Sequence, residues 1–239
     1  MEEQLEILRK WMEESRYAVF FGGAGVSTES GIPDFRSQDG LYHQEYVYPP
    51  ETIVSHSFFL SNTEEFFTFY RKKLLAPEAK PNAAHRKLAQ WEREGWLKAV
   101  ITQNIDGLHQ AAGSREVLEL HGSVHRNYCT RCGAFYDMEH MLRSTGIPCC
   151  HCGGVIKPDV VLYEEALDQE VLEKAVQHLR KADLLLVGGT SLAVYPAAGL
   201  LRYYGGKRVA VINKTPLSSA LPGALDLCAP IGETFSKLP

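Results

Sequence analysis

Long apolar runs are missing from this chain of 239 residues. None approaches the ~20 residues that a helix needs to span a bilayer, so no helical membrane span is expected. There is no block of Lys and Arg, and the net charge is −4. Phosphate contacts need clustered positive charge, so a dedicated nucleic-acid binder is not expected either. The opening stretch MEEQLEILRKWMEES is acidic and amphipathic, unlike a secretory signal or a transit peptide. The expectation is a cytoplasmic protein without membrane or nucleic-acid partners. Cysteine is scarce and uneven: five of six fall within the 24 residues from Cys129 to Cys152. A secreted disulfide scaffold would spread them through a short chain, so this crowding points to metal binding instead. Internal repeats and low-complexity tracts are absent. What remains, 45% apolar and 23% charged residues, is an ordinary globular composition with enough length for a large core plus an insertion.

Leu5, Leu8 and Met12 recur at helical spacing and predict a helix over 2–15. YAVFF (17–21) reads as a buried strand running into glycines. Ser61 and Glu64 have capping-box spacing, which predicts a helix from there to about Leu75. Asn82 is placed to cap a helix that Gly95 ends. LKAVIT (97–102), EVLEL (116–120), VVLY (160–163), DLLLVGG (183–189) and RVAVIN (208–213) each read as strands of a parallel sheet buried on both faces. Helices are expected over 168–181 and about 196–204. The alternation gives an α/β class: a doubly wound parallel, Rossmann-like sheet with a second, smaller zinc-containing domain. Residues 1–39, 83–121 and 160–239 are assigned to the nucleotide-binding core. Residues 40–82 and 122–159 break the alternation and are assigned to the small domain, with the ligand cleft between the two.

CTRC (129–132) and, 16 residues later, CCHC (149–152) form paired knuckles. Four thiolates complete a zinc tetrahedron and leave no open position, so a structural zinc is expected on Cys129, Cys132, Cys149 and Cys152. Cys150 or His151 are alternatives to Cys149, which is preferred for its x-x spacing. Cys228 reads as a buried small hydrophobe.

Gly23-Ala24-Gly25-Val26-Ser27-Thr28 begins like a dinucleotide fingerprint but ends on Thr28 rather than glycine. It is either such a loop, with the N–H groups near Gly23 and Gly25 offered to a pyrophosphate, or an ordinary strand-to-helix turn. The usual acidic ribose partner is missing, and Asn213, at the end of RVAVIN, is the substitute. GGTS (188–191), with Gly189, Thr190 and Ser191, follows another strand. TQNID places Gln103, Asn104 and Asp106 at a strand's carboxyl end, where α/β proteins bind ligands; an Asx turn is the bland alternative. His121 lies at the same edge, before a glycine. A lone histidine is more often structural, but this position favours catalysis.

With these pieces placed, the chain resembles the sirtuins, NAD-dependent protein lysine deacylases, and looks bacterial in type. The likeness runs through GAGVSTESGIPDFR (23–36), TQNIDGLH (102–109), HG (121–122), the paired knuckles, KPDVVLYEE (157–165), GTSLAVYPAAGL (189–200) and INK (212–214). It implies that NAD is a consumed co-substrate and that acyl-lysine proteins or peptides are the partners. It implies that Ala24, Thr28, Arg36, Gln103, Thr190, Ser191, Asn213 and Ile231 contact the dinucleotide. Phe35, Ile105 and Asp106 would form the nicotinamide pocket, and Ser27 and Asn104 would orient the ribose. His121 would be the general base. In the implied reaction the acyl-lysine oxygen attacks the ribose C1′ as nicotinamide leaves. A ribose hydroxyl deprotonated by His121 then takes the acyl group. The peptide would add as a strand between VVLYEE and SLAVYP, with Val160, Leu162, Tyr163 and Val194 as candidate contacts.

Two departures stand out. Most sirtuins carry Phe-Gly-Glu where this chain has Tyr163-Glu164-Glu165. The Tyr-x-x-Arg of sirtuins that take acidic acyl groups is matched here by Tyr70 and Lys73, and Lys lacks the planar fork that grips a carboxylate. Acetyl-lysine is therefore favoured over succinyl or malonyl, with Arg71, Lys72 and Lys73 otherwise a solvated helix face.

Overall fold

The structure is a computed structural model, which describes residues 1–34, 48–217, 221 and 223–239. Its strands are β1 (Ala18–Gly22), β2 (Leu97–Thr102), β3 (Val117–Glu119), β4 (Gly122–Cys129), β5 (Phe135–Tyr136), β6 (Ile156–Val160), β7 (Leu184–Gly188), β8 (Arg208–Asn213) and β9 (Leu225–Cys228). Six form one sheet in the order β3-β2-β1-β7-β8-β9, with every pairing parallel. Counted within that sheet the order is 3-2-1-4-5-6, the doubly wound arrangement, whose switch point lies between β1 and β7.

The helices are α1 (Glu2–Glu14), α2 (Pro50–Ile53), α3 (His56–Ser61), α4 (Thr63–Phe69), α5 (Ala83–Glu94), α6 (Leu108–Ala111), α7 (Met138–Arg143), α8 (Gln169–Lys181) and α9 (Ile231–Ser236). β1 shows how the sheet is covered. Ala18 and Phe20 face a core built with Leu5 and Leu8 of α1, Leu88 and Trp91 of α5, and Phe235 of α9. Val19 and Phe21 face the opposite core, with Ala175 and Leu179 of α8 and Leu200. Period-2 alternation on a strand buried along its whole length thus requires helices on both faces. The stretch predicted as a helix over about 196–204 is a 3-10 helix, Ala197–Tyr203.

A third core collects Phe58, Phe59, Phe66, Phe67 and Tyr70 with Val124, Cys129, Met141, Ile156 and Leu162. It packs on the three-stranded sheet β5-β4-β6, which is antiparallel throughout. One expectation fails here and another is adjusted. VVLY is not a strand of the parallel sheet: β6 ends at Val160 and pairs antiparallel with β4. Val160 and Leu162 enter the third core while Tyr163 is exposed, and an apolar run alone does not say which core a strand serves. The helix predicted from Ser61 to about Leu75 is present, as α4 continued by one further turn, but Ser61 does not cap it. Ser55, not Ser61, caps α3 through Phe58 N–H (3.2 Å), and the chain restarts at α4 after Asn62. The last turn, Tyr70–Leu74, is a π-helix.

Asn82 behaves as predicted and does more. Its side chain accepts from Ala84 N–H (2.9 Å) and His85 N–H (3.4 Å), while its amide donates to Val26 O (2.7 Å) and Ser30 Oγ (3.0 Å). One residue both caps α5 and fastens the loop after β1 to it. Among the described residues no helix is long and apolar enough to cross a membrane. Asn82→Ala should cost about 2 kcal/mol of stability, the upper end for a helix cap, because buried acceptors in the 26–30 loop also lose their donor. Urea unfolding of wild type and variant measures this.

Candidate active site and metal centre

The carboxyl ends of β1, β2, β3, β7 and β8 bring together most of the residues singled out from sequence. Phe35 and Arg36 lie outside the described residues. The two glycine loops meet backbone to backbone. A Cβ on Gly25 would stand 2.8 Å from Gly189 Cα, and Gly189, at φ 60°, would direct one to 2.3 Å from Val26 N. Glycine is needed here for close approach of chain to chain. This revises the expected role of the loop's amides. Gly23 N–H donates to Gly188 O (3.3 Å) and Gly25 N–H to Gly189 O (2.8 Å), so both are spent within the protein. The loop then enters two 3-10 turns, Ala24–Val26 and Thr28–Ser30, rather than a long helix. Thr28 Oγ1 donates back to Gly25 O (3.0 Å).

Ser27, 1% exposed, is the hub. Its hydroxyl donates to Asp106 Oδ2 (2.6 Å), accepts from Asn104 Nδ2 (3.0 Å) and lies 3.4 Å from His85 Nε2. Asp106 also accepts from Leu108 N–H (2.9 Å). Sequence reasoning missed His85, although its place three residues after the cap Asn82 was readable. Asn82 N–H donates to His85 Nδ1 (3.3 Å), so the ring proton sits on Nε2 and points at Ser27. Burial pushes the His85 imidazolium down to about 4. His109 meets His85 edge to face, with ring centroids 4.8 Å apart, and burial, with His85 beside it, pushes His109 down to about 3.

Gln103 N–H bonds Gly22 O (3.0 Å), and its side chain donates to Thr190 Oγ1 (3.0 Å). Thr190 is braced by Asn213, whose amide accepts from Thr190 N–H (3.1 Å) and donates to Thr190 O (3.0 Å). Bracing is thus the role this structure gives Asn213; each end of the amide retains capacity for one further bond. His121 Nδ1 lies 3.0 Å from Gln103 O. A carbonyl only accepts, so Nδ1 carries the proton and Nε2 is left as the base. Burial, partly offset by that carbonyl, lowers the His121 pKa below 6.5 and keeps the ring neutral at pH 7.

Ile105 packs beside the third core, and its carbonyl accepts from Val124 N–H (3.0 Å). Ser191 is exposed and Ala24 partly so. Ile231 is buried at the start of α9, with Cδ1 2.5 Å from where a Cβ on Gly188 would stand. Of the expected peptide contacts, Val160 and Leu162 are buried and Tyr163 is exposed. Val194 is partly exposed, on the segment leading to the cis Tyr195-Pro196 bond. A groove of about 490 Å³ between α8 and residues 195–203 contains none of the carboxyl-edge groups.

The sulfurs of Cys129, Cys132, Cys150 and Cys152 all lie within 4.8 Å of one another. Cys129 Sγ is 3.4 Å from Cys152 Sγ, and Cys132 Sγ is 3.6 Å from Cys150 Sγ. Tetrahedral zinc–thiolate bonds place sulfurs about 3.8 Å apart, so this donor set fits zinc. Cys149 is therefore corrected to Cys150. Gly153 N–H donates to Cys150 O (2.8 Å) and Cys150 N–H to Gly154 O (2.8 Å), which makes Cys150–Cys152 the turn. Cys149 precedes it, bridged antiparallel to Val155, and successive side chains on extended backbone point opposite ways. Its thiol is exposed, 3.5 Å from Ile147 O. Cys228 is also corrected: it is exposed at the end of β9, with its thiol toward Lys214 O (3.1 Å).

A parallel sheet with polar side chains gathered at its switch point, beside four cysteines whose spacing fits a zinc ion, defines a nucleotide-binding α/β protein. The Sir2 family model matches residues 23–196, and the chain belongs to that family. It is 57% identical over 217 residues to an NAD-dependent protein deacetylase of Clostridium acetobutylicum, covering 89% of each chain. It is 53% identical over 242 residues to that of Clostridium perfringens, covering 100% of this chain and 99% of the other. A solved Sir2 enzyme superposes with a TM-score of 0.90 at 40% identity, covering 99% of this chain and 96% of that one. A Sir2 complex with a p53 peptide and NAD+ gives 0.84 at 39% identity, covering 97% and 95%.

Two predictions follow from the cysteines and the buried histidines. Cys150→Ala should release the zinc and lower the melting temperature, whereas Cys149→Ala should keep one zinc per chain, measured by plasma mass spectrometry and thermal unfolding. The unfolded chain takes up protons at His85 and His109 near pH 6.5, the folded chain only near 4 and 3. Their contribution is therefore full above pH 6.5 and declines as pH falls from 6.5 toward 4. Melting temperatures over that range should drop less steeply in His109→Gln.

Proposed function

We propose that this protein is an NAD-dependent protein lysine deacetylase, releasing nicotinamide and transferring the acyl group of lysine to ADP-ribose. The observation that carries the reading is the juxtaposition of the Ser27–Asn104–Asp106 network with His121, whose Nδ1 is pinned on Gln103 O. The donors gathered at the switch point fit a dinucleotide: hydroxyls of Ser27 and Thr190, amides of Gln103, Asn104 and Asn213, and the Asp106 carboxylate. Bound NAD supplies a glycosidic bond activated for acyl transfer.

The chain's own groups do the rest. Asp106, held by Ser27 and Leu108 N–H, presents a fixed carboxylate to the nicotinamide carboxamide. Asn104, 8% exposed and fixed on Ser27, orients the ribose. Ala24, Thr28, Arg36, Thr190, Ser191, Asn213 and Ile231 are assigned to the dinucleotide, Phe35 and Ile105 to its nicotinamide end, and Gly23, Gly25 and Gly189 to the loop packing that shapes the site. His121 Nε2 takes the proton of a ribose hydroxyl. The acyl-lysine peptide lies between residues 160–163 and 191–196. Zinc on the four cysteines holds the β4–β6 module together, away from the chemistry; thiolate ligation suits a reducing cytoplasm.

The acyl preference is for acetyl. Tyr70 is fully buried, and its hydroxyl has no hydrogen-bond partner. The last turn of its helix is a π turn, Tyr70–Leu74, and Arg71 is engaged by Gly146 O (2.6 Å). Lysine at 73 lacks the planar fork that would grip a carboxylate.

His121→Ala should lower kcat/KM by ~10²–10⁴, the usual worth of general-base catalysis, with zinc content unchanged. Because burial holds His121 below 6.5, the wild-type acid limb should lie below pH 6.5, with activity lost as the pH falls through it. Nicotinamide release from an acetylated peptide and NAD measures both. No release with acetyl or succinyl peptides would refute the assignment.

A further inference from the structure

Immediately after β6 the chain makes a tight turn, Leu162-Tyr163-Glu164-Glu165, closed by Glu165 N–H to Leu162 O (3.1 Å). Its third position has φ 76°, and the residue there is Glu164. A turn with positive φ at that position ordinarily takes glycine. The side chain shows what replaces the missing freedom. Glu164 Oε2 accepts from Ser57 N–H (2.8 Å) and Oε1 from Ser57 Oγ (2.9 Å), in the first turn of α3. The backbone alongside is paired too: Tyr163 N–H donates to Val54 O (3.0 Å), and His56 N–H donates to Tyr163 O (3.0 Å). Glu165 holds the other side, with His56 Nδ1 at 2.8 Å, Lys157 Nζ at 3.1 Å and Leu162 N–H at 2.8 Å.

We infer that Glu164 is a positioning residue for the substrate peptide: its carboxylate tethers the 162–165 turn to α3, so the turn is fixed before the peptide arrives. The inference rests on the reading above that the peptide adds beside residues 160–163. A glycine at this position would make the same turn without strain but also without a tether. Glutamate accepts an unfavourable backbone conformation and in return fixes the turn through two hydrogen bonds to one serine. An edge already ordered loses less conformational freedom when a strand is added, and that difference appears in peptide affinity rather than in the chemical step. The tether reaches neither Ser27, Asn104 nor His121, so NAD affinity should be indifferent to it.

Steady-state kinetics with an acetylated peptide, together with hydrogen exchange of residues 161–166 in the protein alone, test this. Glu164→Ala should raise the peptide KM about five- to tenfold, with kcat and the NAD KM within about twofold of wild type. Glu164→Gln, which keeps one acceptor, should recover part of the loss. Glu164→Gly should resemble Ala, because relief of strain does not restore the tether. Ser57→Ala should be milder, and adding it to Glu164→Ala should cost nothing further. Exchange over 161–166 should quicken in the Ala and Gly variants. An unchanged peptide KM in Glu164→Ala, or equal damage to kcat and the NAD KM, would overturn the assignment. Unchanged exchange would overturn the tether itself, even if the wild type proved inactive toward acyl peptides and the functional reading fell separately.

Discussion

The hydroxyl of Ser27 is the contact on which the active-site arrangement depends. A hydroxyl has one proton to give, and here it goes to Asp106. The oxygen must then receive, and Asn104 Nδ2 and His85 Nε2 are the groups that face it. This order fixes the protonation state of everything around it. His85 must be neutral with its proton on Nε2, which agrees with Asn82 N–H approaching Nδ1 and with burial opposing the imidazolium. Four chain segments, the loop after β1, the start of α5 and the two halves of the TQNID loop, are tied through one oxygen atom. Loss of any donor would leave a buried polar group without its partner, which is dearer than loss of the same bond in water.

The sheet supplies the frame for this hub. Parallel strands end together, so the loops that leave them begin within reach of one another. A second line of braces runs across these ends: Asn213 holds Thr190, Thr190 holds the Gln103 side chain, and Gln103 O holds His121. Asn213 leaves β8 and His121 lies beyond β3, so the line crosses most of the sheet's width. The histidine's orientation is thereby linked to the strand order and not to its immediate neighbours alone.

Much of this could be read from residue order. The stripe of Leu5, Leu8 and Met12, the Asn82 cap with its Gly95 stop, and four of the five predicted parallel strands carry local signals that tertiary packing does not overrule. Residues that act at strand ends were visible for the same reason, since Gln103, Asn104 and His121 directly follow strand-like runs. The failures share a physical cause. In VVLY only Val160 and Leu162 enter the aromatic third core, and pattern does not say which core a strand serves. Cys149 and Cys150 are adjacent, and the choice between them depends on where the tight turn begins, which spacing cannot state. His85 was missed because it lies within a helix 58 residues from the serine it meets. Cys228 looked apolar in DLCAP, but its strand is the sheet's edge and its thiol faces outward.

Two backbone positions differ in what they can tolerate. The glycine-to-glycine contact of Gly25 and Gly189 leaves no room for any Cβ, so that junction admits little variation. At Glu164 the surroundings are different. The turn is on the surface, a side chain fits, and the constraint falls on φ alone. A surface turn can exchange conformational ease for a side-chain tether when a partner such as Ser57 lies within reach; a buried backbone crossing cannot. A substitution is therefore easier to absorb at the rim, where the peptide would meet the protein, than at the carboxyl edge that would hold the dinucleotide.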